Sequence, residues 1–254
     1  SPPPASDPGT WALDQLGASQ WRLQQSMTVE AFNLASGSKE LHIERRLRPA
    51  PDPLRYLPDA ARPAGNLLYA GYEQEVTLSE GRQDEIMSES WSIAQLNPGG
   101  QMIVPASPAS EPTLYLGRGD LMEQRGNAVH LRITGDAVFK FGFCATGLTG
   151  RFGYVNSLAD GRAYLLARAF FPNPSALYVD VPGRTPDRRG DAVHIYNDGG
   201  RLGGFGEMEY QGRAIGGETE SSRVTDISAL WLYVGEPRSI AQVTEHLLGI
   251  APTL

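Results

Sequence analysis

The chain has little cysteine, no excess of basic charge and no long apolar run, and each shortage excludes a class of protein. Among 254 residues there is a single cysteine, Cys144, so an intrachain disulfide cannot form. Lys and Arg number 22 against 29 Asp and Glu, a net charge of −7. Binding to phosphate backbones needs a basic surface, so we expect no nucleic-acid partner. No apolar stretch approaches the ~20 residues that cross a bilayer, so we expect no membrane span.

Motifs for metals, nucleotides and nucleophilic serine are also missing. The four histidines lie far apart in sequence, and neither a His-Glu-x-x-His nor a Gly-x-Ser-x-Gly segment occurs. The Gly-rich turn 215–220 lacks the spacing of a phosphate-binding loop. We therefore expect no metal site and no cofactor.

Glycine and proline are abundant, with 29 and 19 residues, and they favour many turns over long helices. Short apolar or alternating runs between these turns predict an all-β protein of two large antiparallel sheets, with one C-terminal helix at 237–249. Pro237 suits the first turn of that helix and Gly249 its end. The predicted strands are 20–34, 38–48, 67–79, 84–94, 101–105, 112–117, 127–134, 137–143, 151–156, 162–171, 175–181, 191–196, 204–211 and 226–234.

The domain organisation is simple. Residues 1–12 form a Pro-rich linker, and 13–254 form one β-sandwich domain. A Pro-rich, polar start is typical of the tether that remains after an export leader is removed. We therefore expect a periplasmic or secreted protein, with a lipid anchor at the linker as one form of export. The five prolines in 49–65 exclude a central strand there and predict an excursion between strands.

Two glutamates in the predicted strand 204–211 are the first candidates for chemistry. Because side chains alternate along a strand, Glu207 and Glu209 lie on one face, about 7 Å apart. Burial of such a pair raises at least one pKa, which suits a general base or an acceptor for sugar hydroxyls. Pattern alone favours the simpler interpretation, the solvent-facing side of an edge strand.

A second cluster of candidates follows in the segment 191–200. His194 and Tyr196 share one strand face, and Asn197 and Asp198 open a turn. An ordinary strand that ends in a turn fits this pattern equally well. Aromatic rings pack on the apolar face of a pyranose, so exposed rings are further candidates. These are Trp91, Tyr72, Tyr154, Tyr178 and Tyr196.

Several segments together resemble an uncharacterised bacterial family of the galactose-mutarotase-like superfamily, over roughly residues 15–235. The order and spacing of the last three are the most distinctive. The segments are WSIAQLNP at 91–98, MIVP at 102–105, FKFGF at 139–143, DAVHIYNDG at 191–199, FGEMEYQG at 205–212 and GGET at 216–219.

The resemblance implies a supersandwich of antiparallel sheets with a sugar-binding groove. It implies Glu207 or Glu209 as base and His194 or Lys140 as acid. The implied sugar contacts are Tyr196, Asn197, Asp198, Glu218 and Trp91. The chain lacks the His-Pro-Tyr-type segment of the mutarotases, so the resemblance does not equate His194 with their acid.

The resemblance also implies an additional N-terminal β region before the point where this sequence begins. We therefore expect a fragment of a longer protein, a compact variant, or a chain whose sheets another chain completes. An unpaired sheet edge favours aggregation, so we expect the helix 237–249, the loop 49–65 or a second subunit to cover that edge.

Three functions remain open from the sequence. The first is an enzyme that acts on a sugar or glycoside by acid–base chemistry, as an epimerase, lyase or hydrolase. The second is a non-catalytic carbohydrate-binding protein of the cell envelope. The third is a structural or interaction domain on the same fold, because a fold alone does not determine function.

Overall fold

A computed structural model describes residues 9–31, 36–82, 84–179 and 189–252. The predicted linker lies mostly outside this range, and the first strand begins at Ala12. In chain order the first eight strands are β1 (Ala12–Gly17), β2 (Gln20–Glu30), β3 (Ser38–Pro49), β4 (Leu68–Glu80), β5 (Trp91–Leu96), β6 (Gly100–Pro105), β7 (Thr113–Gly117) and β8 (Met122–Arg125). The remaining elements are β9 (Ala128–Ile133), β10 (Val138–Phe143), β11 (Arg151–Ser157), β12 (Ala163–Phe170), β13 (Val193–Asp198), β14 (Gly206–Gln211), β15 (Arg223–Gly235) and the helix α1 (Pro237–Leu248).

The strands form two antiparallel sheets of unequal size. The large sheet has ten strands in the order β1-β2-β3-β4-β15-β12-β11-β6-β9-β8, and the small sheet has five in the order β5-β14-β13-β10-β7. Long pairings such as that of β4 with β15 hold the large sheet together. The all-β, antiparallel class with one C-terminal helix is therefore confirmed.

Alternating side chains build the core between the sheets. Phe139, Phe141 and Phe143 share one face of β10, as the sequence predicts, and are at most 3% exposed. Ile195 and Met208, from the adjacent strands of the small sheet, pack in the same cluster. The large sheet contributes apolar side chains from β6, β9 and β11 and, at the margin, β12 and β15.

The helix α1 packs on the outer face of the large sheet. Its first turn begins with Pro237, and Gly249 ends it with a left-handed φ of 72°. Its apolar stripe meets β11, β12 and β15, in the middle of the sheet. Leu54, from the predicted excursion 49–65, joins the same cluster. The prediction that this helix or loop covers a sheet edge is therefore wrong, since both bury apolar side chains of a face.

Four other predictions about strands need correction. The strands β1 and β8 were not predicted, because β1 is short and almost fully exposed and β8 is short and polar. The predicted strand 84–94 starts only at Trp91, because the Asp84 side chain accepts the amide of Ile86 and forms a turn. The predicted strand 175–181 is a turn and irregular chain over its described part, 175–179. Its apolar pattern reflects Tyr178, which is 2% exposed and packs in a small cluster of its own.

The helix α1 spans 12 residues. Within the described ranges, the chain has no helix with the length and apolar character that crossing a membrane requires.

Candidate functional site

The side of the small sheet that faces away from the core carries a row of polar side chains, which we call the polar face. The register places Glu209 opposite His194, and Glu207 opposite Tyr196. Lys140 on β10 pairs with Tyr196 from the other side. The polar face comprises Trp91, Gln95, Lys140, His194, Tyr196, Glu207, Glu209 and Gln211.

Glu209 is the centre of the polar face. Its Oε2 accepts hydrogen bonds from Trp91 Nε1 at 2.9 Å and from Lys140 Nζ at 3.0 Å. The Nδ1 atom of His194 lies 3.6 Å from the same oxygen. The Lys140 ammonium also lies 5.5 Å from the centre of the Trp91 ring, a cation–π contact. Glu209 is 1% exposed, whereas Trp91 is 40% exposed, so the indole forms part of the surface above a buried carboxylate.

The two glutamates have pKa values shifted in opposite directions. Burial by itself raises the pKa of Glu209, but contact with His194 and the charge of Lys140 outweigh burial and bring the pKa below its usual value. For Glu207, burial raises the pKa, and the nearby charge of Glu209 adds to that rise. A pair of carboxyl groups whose surroundings separate their pKa values is a common arrangement for acid–base work.

Asn197 and Asp198, both candidates for sugar binding, are engaged by the turns that follow β9 and β13. Asn197 is buried, and its side chain accepts the Gly135 amide at 2.9 Å and donates to Thr134 at 3.1 Å. The Asp198 carboxylate accepts the amides of Leu202 and Gly204 at 2.8 and 3.1 Å. Both side chains therefore hold turns that shape the end of the polar face.

Tyr196 has a half-buried phenol, and burial raises its pKa, with the charge of Asp198 in support. It is the aromatic candidate on the same sheet as Trp91. Tyr154 and Tyr178, two further aromatic candidates, are 0% and 2% exposed, so neither presents a ring face to a ligand. Tyr72 is 41% exposed but lies on the large sheet.

Glu218 lies apart from the other candidates. It is exposed in the short 3-10 turn Gly217–Thr219, and the amide of Gly217 bonds to the carbonyl of Asp84. The structure therefore brings together Glu207, Glu209, His194, Lys140, Tyr196 and Trp91, but not Glu218.

Three polar residues at this site were not predicted: Tyr115, Asp191 and Gln211. Tyr115 donates to the buried carboxylate of Asp191, and its ring lies edge-on to His194 with centres 5.2 Å apart. Gln211 approaches His194 Nδ1 at 3.5 Å. Gly142 makes room for this group, because a methyl there would overlap both Asp191 and Tyr115. A single sequence gives no signal for these contacts, since Tyr115 lies on a strand that is distant in the chain.

No cluster of three or more His, Cys, Asp or Glu side chains with an arrangement fit for a metal ion occurs in the described part of the chain. On the polar face, the Glu209 carboxylate is paired with the Lys140 ammonium and hydrogen-bonded to Trp91.

Two solved structures are similar to this chain. One is described as a putative aldose 1-epimerase from Escherichia coli K12, with 11% identity, a TM-score of 0.45, and coverage of 88% of this chain and 68% of that one. The other is described as a galactose mutarotase-like protein from Lactobacillus casei ATCC 334, with 10% identity, the same TM-score, and coverage of 88% and 73%. No protein-family model and no curated protein sequence matches the chain. No residue role is carried over from either structure.

Proposed function

We propose that the polar face binds a sugar and transfers protons to and from it, with Glu207 as the group that exchanges the proton. The observation that carries this proposal is geometric: Trp91 Nε1 and Lys140 Nζ hold the buried Glu209 at 2.9 and 3.0 Å, and the half-buried Glu207 lies two positions away on the same strand face. The opposite directions of the two glutamate pKa shifts agree with it. Glu207 is half-buried and has a raised pKa, so it takes up a proton more readily than an ordinary carboxylate. Glu209 is held ionised by its neighbours, which suits it to positioning rather than to proton exchange.

Trp91 and Lys140 supply the other parts of the proposed site. The exposed indole offers a flat apolar surface to a pyranose ring, and its N–H is already fixed by Glu209. Lys140 keeps 16% of its side chain exposed beside that ring, so its ammonium group reaches the surface. The lysine therefore stands where an acid or a hydroxyl donor is needed.

The proposed reaction is exchange at the anomeric centre of an aldose. Glu207 removes the proton of the anomeric hydroxyl, and the electron pair forms the carbonyl as the bond to the ring oxygen breaks. Lys140, whose ammonium group reaches the surface, donates a proton to the ring oxygen. Reversal after rotation gives the other anomer and restores each proton. The sequence motifs that resemble the mutarotases are consistent with a glutamate of β14 as the base, and the acid is assigned from the exposure of Lys140 alone.

A second candidate function is sugar binding without chemistry. One observation favours it, since Glu209 and His194 are 1% and 0% exposed and do not themselves reach a ligand on the surface. A ligand can bind to Trp91, Lys140 and Glu207 without any movement of Glu209 or His194.

The test measures anomer exchange in a panel of aldoses by NMR, with the wild-type protein and with Glu207→Gln. The matched control is Glu245→Gln, which makes the same change on the exposed side of α1. The proposal expects catalysed exchange that falls about 100-fold or more in Glu207→Gln and is unchanged in the control. Binding of an aldose without accelerated exchange would select the second candidate, and equal exchange in both variants would exclude Glu207 as the base.

A further inference from the structure

Among the described residues, the large sheet extends beyond the small one, which leaves part of the inner face of the large sheet uncovered. The apolar cluster between the sheets contains no described residue from β1, β2, β3 or β4. On this overhang lies a groove of about 330 Å³, at the lower end of the ~300–1,000 Å³ range of small-molecule pockets. We call it the overhang groove; its lining includes Trp21, Arg45, Leu47, Tyr72 and Gln74.

Arg45 in this groove has no carboxylate partner among the residues that the structure describes. One terminal nitrogen donates to Gln74 Oε1 at 2.8 Å, while Nε is buried and has no hydrogen-bond acceptor. On the same strand, Arg46 pairs with Glu44 on the opposite face, and Arg48, which also borders the groove, pairs with Glu73. Among the described residues, Arg46 and Arg48 therefore each have a carboxylate partner, whereas Arg45 has none.

A second arginine lies deeper on the same face. Arg168 is 2% exposed, donates to Ser92 at 2.9 Å, and has a buried Nε with no acceptor in the described part of the chain. Its strand neighbour Leu230 is in turn opposite Tyr72, which borders the groove. Burial lowers the pKa of both guanidinium groups. Among the described residues, these two cations have no carboxylate partner, and one is partly and the other fully buried, so the region is attractive to an anion.

Two exposed aromatic rings border the groove. Trp21 is 37% and Tyr72 41% exposed. They lie on β2 and β4, on either side of β3, and neighbouring strands are about 4.8 Å apart, so about 10 Å separates the two strands. Leu47 lies opposite Trp21 on the strand between them. Exposed flat rings on both sides of a cationic floor combine a surface for a sugar ring with a partner for a negative charge.

We propose that the overhang groove binds a saccharide that carries a carboxylate, with Arg45 as its counter-ion and Trp21 and Tyr72 against the sugar ring. A neutral sugar leaves the guanidinium unpaired, and a purely apolar partner buries it without compensation. This site lies on the large sheet, so it is separate from the polar face and does not depend on the function proposed there.

The test is titration calorimetry of the intact chain with trigalacturonate and with its methyl ester, which keeps the rings and removes the charge. The variants are Arg45→Gln and Trp21→Ala, and the matched control is Arg46→Gln on the opposite face of the same strand. We expect binding of trigalacturonate that weakens about tenfold or more in Arg45→Gln, in Trp21→Ala and with the ester, and that stays unchanged in the control. Circular dichroism verifies that each variant is folded.

Three results would overturn the proposal. One is equal binding of the acid and its ester, and another is no binding of trigalacturonate by the wild type. The third is a concentration-dependent dimer that dissociates in Trp21→Ala, which would make a second copy the occupant. Glu207→Gln separates the two sites: it retains trigalacturonate binding here, whereas loss of binding in that variant would place the ligand on the polar face and contradict the assignment.

Discussion

Glu207 and Glu209 stand two positions apart on one face of β14, yet their surroundings act on their pKa values in opposite directions. The difference lies in the partners. Glu209 accepts hydrogen bonds from Lys140 and Trp91. Glu207 instead lies beside Gln95, and the negative charge of Glu209 raises its pKa. The alternation of a strand predicts that the two share a face, but only the neighbouring strands decide which one is held ionised.

The substitution Glu209→Gln removes the partner of a largely buried ammonium group. Loss of one member of such a pair lowers the free energy of unfolding by about 3 kcal/mol at neutral pH. Because the folded-state pKa of Glu209 lies below its usual value of 4.5, its stabilising effect is present above that pH and is lost as the pH falls through the folded-state pKa. Urea unfolding of both proteins between pH 7 and pH 3 measures the effect.

The two unfolding free energies should converge as the pH falls. A difference that stays constant from pH 7 to pH 3 would mean that the carboxylate charge of Glu209 does not stabilise the fold. The control Glu245→Gln, on the exposed side of α1, should follow the wild type throughout.

The substitution Glu207→Gln is expected to change the free energy of unfolding in the opposite direction. A carboxyl whose folded-state pKa is raised favours the protonated form, so stability is fully present below 4.5 and is lost as the pH rises through the folded-state pKa. The uncharged amide of the variant removes that loss. We therefore expect the free energy of unfolding to rise by a few tenths to about 1 kcal/mol at pH 7, a small value because solvent partly screens Glu207. Thermal unfolding at pH 7 tests it, and a lower melting temperature for Glu207→Gln would contradict it.

Among the elements, the helix α1 shows what an apolar stripe can and cannot predict. Its bounds and its buried side follow from Pro237, Gly249 and the spacing of apolar residues, all visible in the sequence. Its partner does not follow, because the surface that it covers is built from β11, β12 and β15, which are distant in the chain. The stripe therefore predicts burial but not the place of burial.

The substitution Leu247→Ala tests the contribution of this helix. Leu247 is 3% exposed against the large sheet, so the change leaves a cavity and lowers the free energy of unfolding by about 3 kcal/mol. Glu245→Ala, on the exposed side of the same helix, should change it by less than about 0.5 kcal/mol. Urea midpoints give both values, and equal effects would show that α1 does not stabilise the sandwich.

The strands show a similar limit. Alternating runs such as 137–143 and 204–211 predict both the strand and its buried face, because each face meets a different environment. The two faces of β1 do not differ in this way, because five of its six residues are exposed. The chain before β5 looks like a strand but is held in a turn by Asp84. The sequence predicted which candidate residues share a face of one strand. It did not predict Tyr115, which reaches the site from another strand.

For the molecule as a whole, the unequal sizes of the two sheets are the feature that the sequence does not reveal. The pairing of β4 with β15 joins segments about 150 residues apart and carries β1, β2 and β3 beyond the small sheet. Within the described residues, the buried cluster nearest these strands is small: Leu41 of β3 packs with Leu78 of β4 and with Ile215 from the loop after β14. The overhang therefore rests on less buried apolar surface than the rest of the sandwich.

This asymmetry predicts unequal resistance to hydrogen exchange. Amides of β2 and β3 should exchange through local opening, with opening free energies several kcal/mol below those of β10 and β13, which open only when the whole domain unfolds. Hydrogen-exchange mass spectrometry at low urea resolves these segments. Because a ligand that binds only the closed overhang adds to its opening free energy, saturating trigalacturonate should slow exchange in β2, β3 and β4 and leave β10 and β13 unchanged. Equal protection of β2 and β10 without ligand would show instead that the overhang and the sandwich unfold as one cooperative unit.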